Sequence, residues 1–344
     1  MKRRLTRRGG FALPAVLAVT GVVTIVFLVA ITALASLTAE ANAARERVRF
    51  MQRALTAEAD LTMMAVTEPF SSSGLEIGGQ RRVNEFLGLK PSYASGLPLA
   101  DVELDGRPYR VEGEDLALSL QDQAGLINLS LLDEAGFMRL AGAAGASSEL
   151  KRSLWPRLQD YIDSDSLETP GGAEESEYAD GGPANRKLIQ GSEWLSVLGV
   201  RDNIEPSKWR ALRDDVVADA TEGAGNVNTA SLNTLEIRFG LTSSEARAVI
   251  TARERQAILS LPALEALIGR SLAVDPAAIY TYPSGRIAFT LRDARSTWAY
   301  RGRLTLSPGD PDQPFWIDQT AIYQILRQTR IDASNVPAYP YAPN

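Results

Sequence analysis

Between residues 163 and 180 the chain carries Asp163, Asp165, Glu168, Glu174, Glu175, Glu177 and Asp180, seven carboxylates around a Pro170-Gly171-Gly172 turn. Like charges at that density hold a loop open unless a cation draws them together. Calcium suits such a loop, being a hard ion that takes about 6 to 8 oxygen ligands. The spacing is not that of an EF-hand, so a solvated acidic loop is the competing reading. The candidate ligands are Asp163, Asp165, Glu174, Glu175, Glu177 and Asp180. Composition narrows the remaining chemistry. The 344 residues include no His and no Cys, which removes Ser-His-Asp and Cys-His nucleophilic schemes, histidine general bases and nearly all zinc sites. It also removes disulfides, so a packed core must hold the fold. The expectation is a protein that is not an enzyme, with a metal-dependent hydrolase built on the acidic loop as the enzymatic alternative.

Asn128 and Asn228 belong to an internal echo. Gly125-Leu126-Ile127-Asn128-Leu129-Ser130 is matched, about 100 residues on, by Gly225-Asn226-Val227-Asn228-Thr229-Ala230, and each copy leads into helical sequence. The simplest reading is a pair of related helical subdomains. Asparagine there can hold a turn or cap the next helix by accepting backbone N–H bonds; ordinary turn residues would look the same. The second copy, continued through Ala246-Arg247-Ala248-Val249-Ile250-Thr251-Ala252-Arg253, resembles a helix-hairpin-helix repeat of DNA-binding proteins. Its hairpin, Phe239-Gly240-Leu241-Thr242-Ser243, keeps one glycine where close approach to phosphates needs two. Arg247, Arg253 and Arg255 are offset by Glu236, Glu245, Glu254 and Glu265, and the net charge is −6. Nucleic acid is not an expected partner on that balance. A helical protein-contact module is the stronger reading.

These segments hang on a long N-terminal element. No charged residue occurs from Gly9 to Ala39, and the apolar run from Phe11 to about Thr38 exceeds the ~20 residues that cross a bilayer core as a helix. Lys2, Arg3, Arg4, Arg7 and Arg8 precede it, so the N-terminus is expected in the cytoplasm and everything from Glu40 onward on the exported side. A secretory signal cut after Ala33-Leu34-Ala35 is the competitor, but its apolar region would be longer than the usual ~7–15 residues. A plain anchor is another. Val48, Met51, Leu55, Ala59 and Met63 continue the helix with one apolar face, to a stop at Pro69 and Ser71-Ser72-Ser73-Gly74. A polar stretch follows to about Pro98. Strands are expected at residues 109–113 and 117–121, and again at 285–291, 298–306 and within 316–325. Residues 336–343 are Pro-rich and expected to be loose.

The Gly10-Phe11 junction, basic before and apolar after, resembles the processing site of type IV pilin and pseudopilin precursors. That resemblance implies cleavage by a prepilin peptidase after Gly10 and N-methylation of Phe11. Most members have glutamate at the fifth mature position; here it is Ala15. An ionised carboxylate in an apolar bundle is costly unless paired, so a subunit with nothing above it does better without one. Leu158-Gln159-Asp160-Tyr161-Ile162-Asp163-Ser164-Asp165-Ser166, then Gly171-Gly172-Ala173-Glu174, Tyr178 and Pro183-Ala184-Asn185-Arg186 resemble, in order, the signature of the type II secretion minor pseudopilin family known as general secretion pathway protein K. The resemblance implies calcium as cofactor, and a place at the tip of a periplasmic pseudopilus where the protein starts filament assembly and supports export. It also implies an inner-membrane location, with other minor pseudopilins, the secretion machinery and the peptidase as partners. The alternative is an exported DNA-binding or competence pseudopilin. The fold expected is α+β: a leader (1–10), a transmembrane helix (11–38), and a pilin-like α/β head (39–125 and 276–328). The head carries an all-α, SAM-like or helix-hairpin-helix-like insertion (126–275), and a flexible tail follows (329–344).

Overall fold

The computed structural model describes residues 12–77, 100–111, 115–179, 181–220, 223–293, 297–325 and 336–339. Gly10, Phe11 and Asp180, and most of the polar stretch expected up to Pro98, lie outside the described residues. The chain divides into two units, Met1–Arg53 and Ala54–Asn344.

Helix α1, Ala12–Thr67, starts in the first unit and ends in the second. Among the described residues it is the helix long and apolar enough to cross a membrane. Its few polar side chains there look after themselves: Thr20 donates to the Val16 carbonyl at 2.7 Å, Thr24 to Thr20 at 2.8 Å and Thr38 to Leu34 at 2.8 Å. Hydroxyls bonded one turn back leave no unmet donor in lipid. The helix stops at Thr67 because Glu68 precedes Pro69, and a residue before proline is pushed out of the helical region.

Within the second unit, α1 buries Ala54, Ala57, Leu61, Met64 and Ala65, and not the expected face, since Leu55, Ala59 and Met63 are exposed; small alanines let the sheet approach the helix closely. The strands are β1 (Gly74–Leu75), β2 (Val102–Glu103), β3 (Asp105–Arg110), β4 (Leu116–Asp122), β9 (Arg286–Asp293), β10 (Trp298–Leu306) and β11 (Phe315–Gln324). Five of them form an antiparallel sheet in the order β11-β10-β9-β4-β3. Tyr300 on β10 donates to Glu58 of α1 at 2.5 Å, fixing helix to sheet. Gly302 faces Phe289 across the β9–β10 pair, and a Cβ there would lie 2.5 Å from the ring; the missing side chain is what lets the ring lie over the strand.

β4 and β9 are neighbours paired from Leu116↔Asp293 to Asp122↔Ile287, yet they are separated by all of residues 123–285. The helical block therefore replaces a hairpin loop and leaves the sheet register intact. Its elements are β5 (Ile127–Asn128), α2 (Glu134–Ala143), α3 (Ser148–Ile162), α4 (Val200–Asn203), α5 (Pro206–Leu212), β6 (Val216–Val217), β7 (Gly225–Asn226), α6 (Leu232–Ile237), α7 (Ser243–Arg253), α8 (Leu261–Ile268) and β8 (Ile279–Tyr280). Asp133, Ser147, Ser231, Thr242 and Ser260 cap the helices they precede, each accepting one of the N–H groups a first turn leaves open. Two apolar cores result. One gathers Phe137, Leu140, Leu154, Leu158 and Trp194, the other Leu235, Phe239, Leu241, Val249 and Leu264. α6 serves both, with Ile237 in the first and Leu235 in the second.

The expected loose tail differs in part. Arg110 on β3 donates to the Pro337 carbonyl and Tyr339 donates to the Arg110 carbonyl, both at 2.7 Å. Tyr339 is buried and its ring meets Tyr109 edge-on at 6.3 Å. An aromatic side chain with an edge strand to lie on outweighs the reluctance of prolines to form regular structure. The remainder of the tail lies outside the described residues.

Candidate metal centre

The acidic loop begins where α3 ends, and its first anchor is Asp160 in the last turn. That side chain is fully buried. It accepts the Thr169 hydroxyl at 2.5 Å, the Thr169 N–H at 3.2 Å and the Ala173 N–H at 2.8 Å. The loop is thereby cinched back onto the helix. Gly172 makes this possible, since a Cβ there would sit 1.8 Å from Asp160 Oδ2.

Cinching brings Glu174 beside the two aspartates that follow the helix. Asp163, Asp165 and Glu174 each place one carboxylate oxygen within 4.8 Å of the others. Calcium–oxygen distances of about 2.3–2.6 Å put ligands on opposite sides of one ion roughly 5 Å apart, so the group is the right size. Asp163 Oδ1 and Glu174 Oε1 are buried and accept no hydrogen bond. Glu174 as a whole is 8% exposed. Burial, then the Asp165 and Asp160 charges, holds the Asp163 carboxyl above its ordinary range; burial, then Asp160, Asp163 and Asp165, does the same for Glu174. Buried carboxylate oxygens that meet neither a donor nor a cation are expensive, and the ligand set, all hard oxygen, fits calcium.

The remaining candidates stand apart. Glu177 turns back to accept the Glu174 N–H at 3.0 Å and the Ser176 hydroxyl at 2.6 Å, bonds that lower its carboxyl below the usual range. Glu175 is exposed and outside the group. The sequence pattern counted carboxylates but could not show which of them were already used as caps. Beyond the loop, Asn185 N–H returns to the Tyr161 carbonyl at 3.0 Å and Arg186 pairs with Glu193 at 2.8 Å.

Asn128 and Asn228 do more than hold turns. Each buried amide grips the backbone of one distant residue at both ends: Asn128 accepts from Asp219 N at 3.0 Å and donates to Asp219 O at 2.8 Å. Asn228 does the same to Ile258, at 2.8 and 3.0 Å. The echo is thus one clamp used twice. Arg253, considered above as a phosphate contact, is buried and donates to the Val227 and Ala230 carbonyls, so it does not face a nucleic acid.

One residue that sequence reasoning missed is Asp122. Fully buried at the end of β4, it accepts Ala124 N–H, Asn226 Nδ2, Thr229 Oγ1, Ser284 N–H and Ser284 Oγ at 2.8–3.2 Å. It ties the point where the chain leaves the sheet to the point where it returns, and both to the second helical core. An acid closing an alternating strand was the available signal, and it named none of the partners.

No protein-family model matches the chain. The chain is similar to Type II secretion system protein K of Pseudomonas aeruginosa, 28% identical over 164 residues, which are 44% of this chain and 49% of that protein. It thus aligns with about half the length of that curated relative. The fold matches a chain from the crystal structure of the GspK–GspI–GspJ complex of the enterotoxigenic Escherichia coli type 2 secretion system. That match has a TM-score of 0.53 at 16% identity and covers 83% of this chain and 100% of that one. The protein K resemblance read from the sequence, and the α+β fold with its long N-terminal helix, are borne out by these matches.

Proposed function

We propose that the chain acts as the minor pseudopilin at the tip of a type II secretion pseudopilus, where it initiates the filament and supports protein export across the outer membrane. The observation that carries this reading is the placement of the helical block between neighbouring strands β4 and β9. A head enlarged in that way has no room for a second copy at the next step of a helical filament, so the subunit can begin a filament and not extend it. Ala15 supports the same position, because no carboxylate reaches for the amine of a subunit above. The apolar part of α1 is the inner-membrane anchor before assembly, with the body in the periplasm. A prepilin peptidase cuts between Gly10 and Phe11, and Phe11 is then methylated. The role is structural, not enzymatic, and calcium is held by Asp163, Asp165 and Glu174 as a brace for the acidic loop. The partners are other minor pseudopilins, as in the complex to which the fold is similar.

The deciding experiment combines a fragment starting near Ala44 with the corresponding fragments of other minor pseudopilins from the same source. Light scattering should find it monomeric alone and in equal ratio with one or two of them. Long homopolymers, or gold label along the filament shaft, would sink the tip assignment. A mature N-terminus at Ser36 in place of Phe11 would sink the pseudopilin reading itself.

A further inference from the structure

The five-stranded sheet has two edge strands, β11 and β3. An edge strand presents unpaired N–H and C=O groups on which a strand of another chain can add. β11 is protected by its own shape. Its residues opposite Arg301 and Arg303 of β10 are Ala321 and Asp318, so Gln319 and Thr320 both stand against Gly302, and Gln319 takes a φ of 50°. A bulge of this kind bends the strand and spoils flat pairing along its outer side.

β3 is protected by another part of the chain. Both backbone groups of Arg110 reach the C-terminal segment, its N–H the Pro337 carbonyl and its C=O the Tyr339 N–H, each at 2.7 Å, which pairs Arg110 with Ala338 in parallel. Arg110 therefore faces outward from the sheet, and Pro108, two residues back on an alternating strand, faces the same way with no N–H to offer. Tyr339 anchors the segment. It is buried, meets the Tyr109 ring edge-on at 6.3 Å and donates its hydroxyl to Met64 Sδ of α1 at 2.9 Å. The segment is also poorly suited to being extended in its turn. With the Pro337 carbonyl and the Tyr339 N–H turned inward, Ala338 carries an outward N–H, but Pro340, two residues on, has none to continue the row.

We propose that residues 337–339 are a guard strand: seated on the outer edge of β3, they keep that edge from pairing with the β3 edge of a second copy of this chain. The inference does not depend on the filament reading, since it rests on the sheet edges alone. The test places Arg110→Cys in the full chain, held in detergent, and in a chain ended at Asn335. The chain holds no Cys, so a disulfide can form only between two introduced thiols. Facing residues on antiparallel strands have Cα atoms about 4.5–5.5 Å apart, inside the ~4.4–6.8 Å that a disulfide spans. Under mild oxidation the shortened chain should form disulfide dimers and the full chain about tenfold fewer or less. Glu149→Cys, on an exposed position of α3, should cross-link equally little in both. Tyr339→Ala in the chain of full length gives a second reading: exchange of the Arg110 amide should speed up about tenfold or more, while that of Leu118 on β4 stays as it was. No excess of dimers in the shortened chain overturns the proposal. A matching rise for Glu149→Cys also overturns it, because the copies would then associate without using β3. So does an Arg110 amide that exchanges freely in the full chain, since the guard would not be seated.

Discussion

Two groups of carboxylates in this protein are taken out of water, and they are treated in opposite ways. Asp122 sits in a nest of donors from three parts of the chain. Asp163 and Glu174 sit beside other acids and leave buried oxygens with nothing to accept. A carboxylate surrounded by N–H and O–H groups is a structural joint, complete as it stands. A carboxylate surrounded by carboxylates is incomplete, and a cation is the missing part. Asp160 shows the contrast within one loop, being saturated with donors three residues before Asp163.

The largest effect should come from breaking the completed joint. Asp122→Ala removes the acceptor shared by Asn226, Thr229 and Ser284, leaving Asn226 with its longer bond to the Ser72 carbonyl at 3.3 Å and Thr229 with the Asn226 carbonyl at 3.4 Å, at about 1–3 kcal/mol for each group left unmet. Urea denaturation should show a loss of about 3 kcal/mol or more, the same with calcium or chelator. A loss below about 1 kcal/mol would mean that water replaces the side chain and the joint matters little.

Next comes the incomplete group. Calcium at a hundredfold excess over its Kd should add about 2.7 kcal/mol to the stability of the wild type. Asp163→Asn with Glu174→Gln should remove that gain and leave the protein in chelator unharmed or slightly steadier. Calorimetry without a calcium-dependent rise in Tm for the wild type counts against the site. Asp160→Ala sharpens the distinction, because its loss should appear in chelator as well as in calcium, where the assembled site is lost too.

The two groups also differ with pH. Asp163 and Glu174 hold their protons more tightly folded than unfolded. In chelator their contribution should therefore improve as pH falls from neutral towards the ordinary carboxylate range near ~4. In calcium the order reverses, since protons and the ion compete for the same oxygens. Subtracting the Asp163→Asn/Glu174→Gln curve from the wild-type curve isolates these two groups; a difference that does not change sign between calcium and chelator would falsify the assignment.

The smallest effects belong to the acids outside the group. Glu175→Gln should change neither calcium affinity nor stability. Glu177→Gln should weaken the Glu174 turn slightly, with calcium affinity falling by less than it does for Asp163→Asn. Isothermal titration ranks the three, and Glu175 emerging as the strongest would relocate the site.

Local chemistry made a good part of this legible in the sequence. An uncharged run announces the first part of α1, and helical spacing its continuation, because a helix repeats every 3.6 residues whatever it packs on; the spacing did not show which face is covered, since Leu55, Ala59 and Met63 are exposed and Ala54, Ala57, Leu61 and Met64 are buried. Alternation along 117–121, 285–291 and 298–306 announces β4, β9 and β10 for the same local reason. The crowd of acids between 163 and 180 was plain too. Tertiary structure decided which of those acids meet, because that depends on Asp160 drawing in Thr169 and Ala173 and on Glu177 being spent as a cap. It alone revealed that Asn128 and Asn228 are clamps, that Tyr339 closes on β3, and that Asp122 is a joint. The partners of Asp122 at Asn226, Thr229 and Ser284 lie 104, 107 and 162 positions away. Periodicity reports what a residue does to its own turn or strand, whereas a hydrogen bond closing so long a loop exists only once the rest of the chain has folded around it.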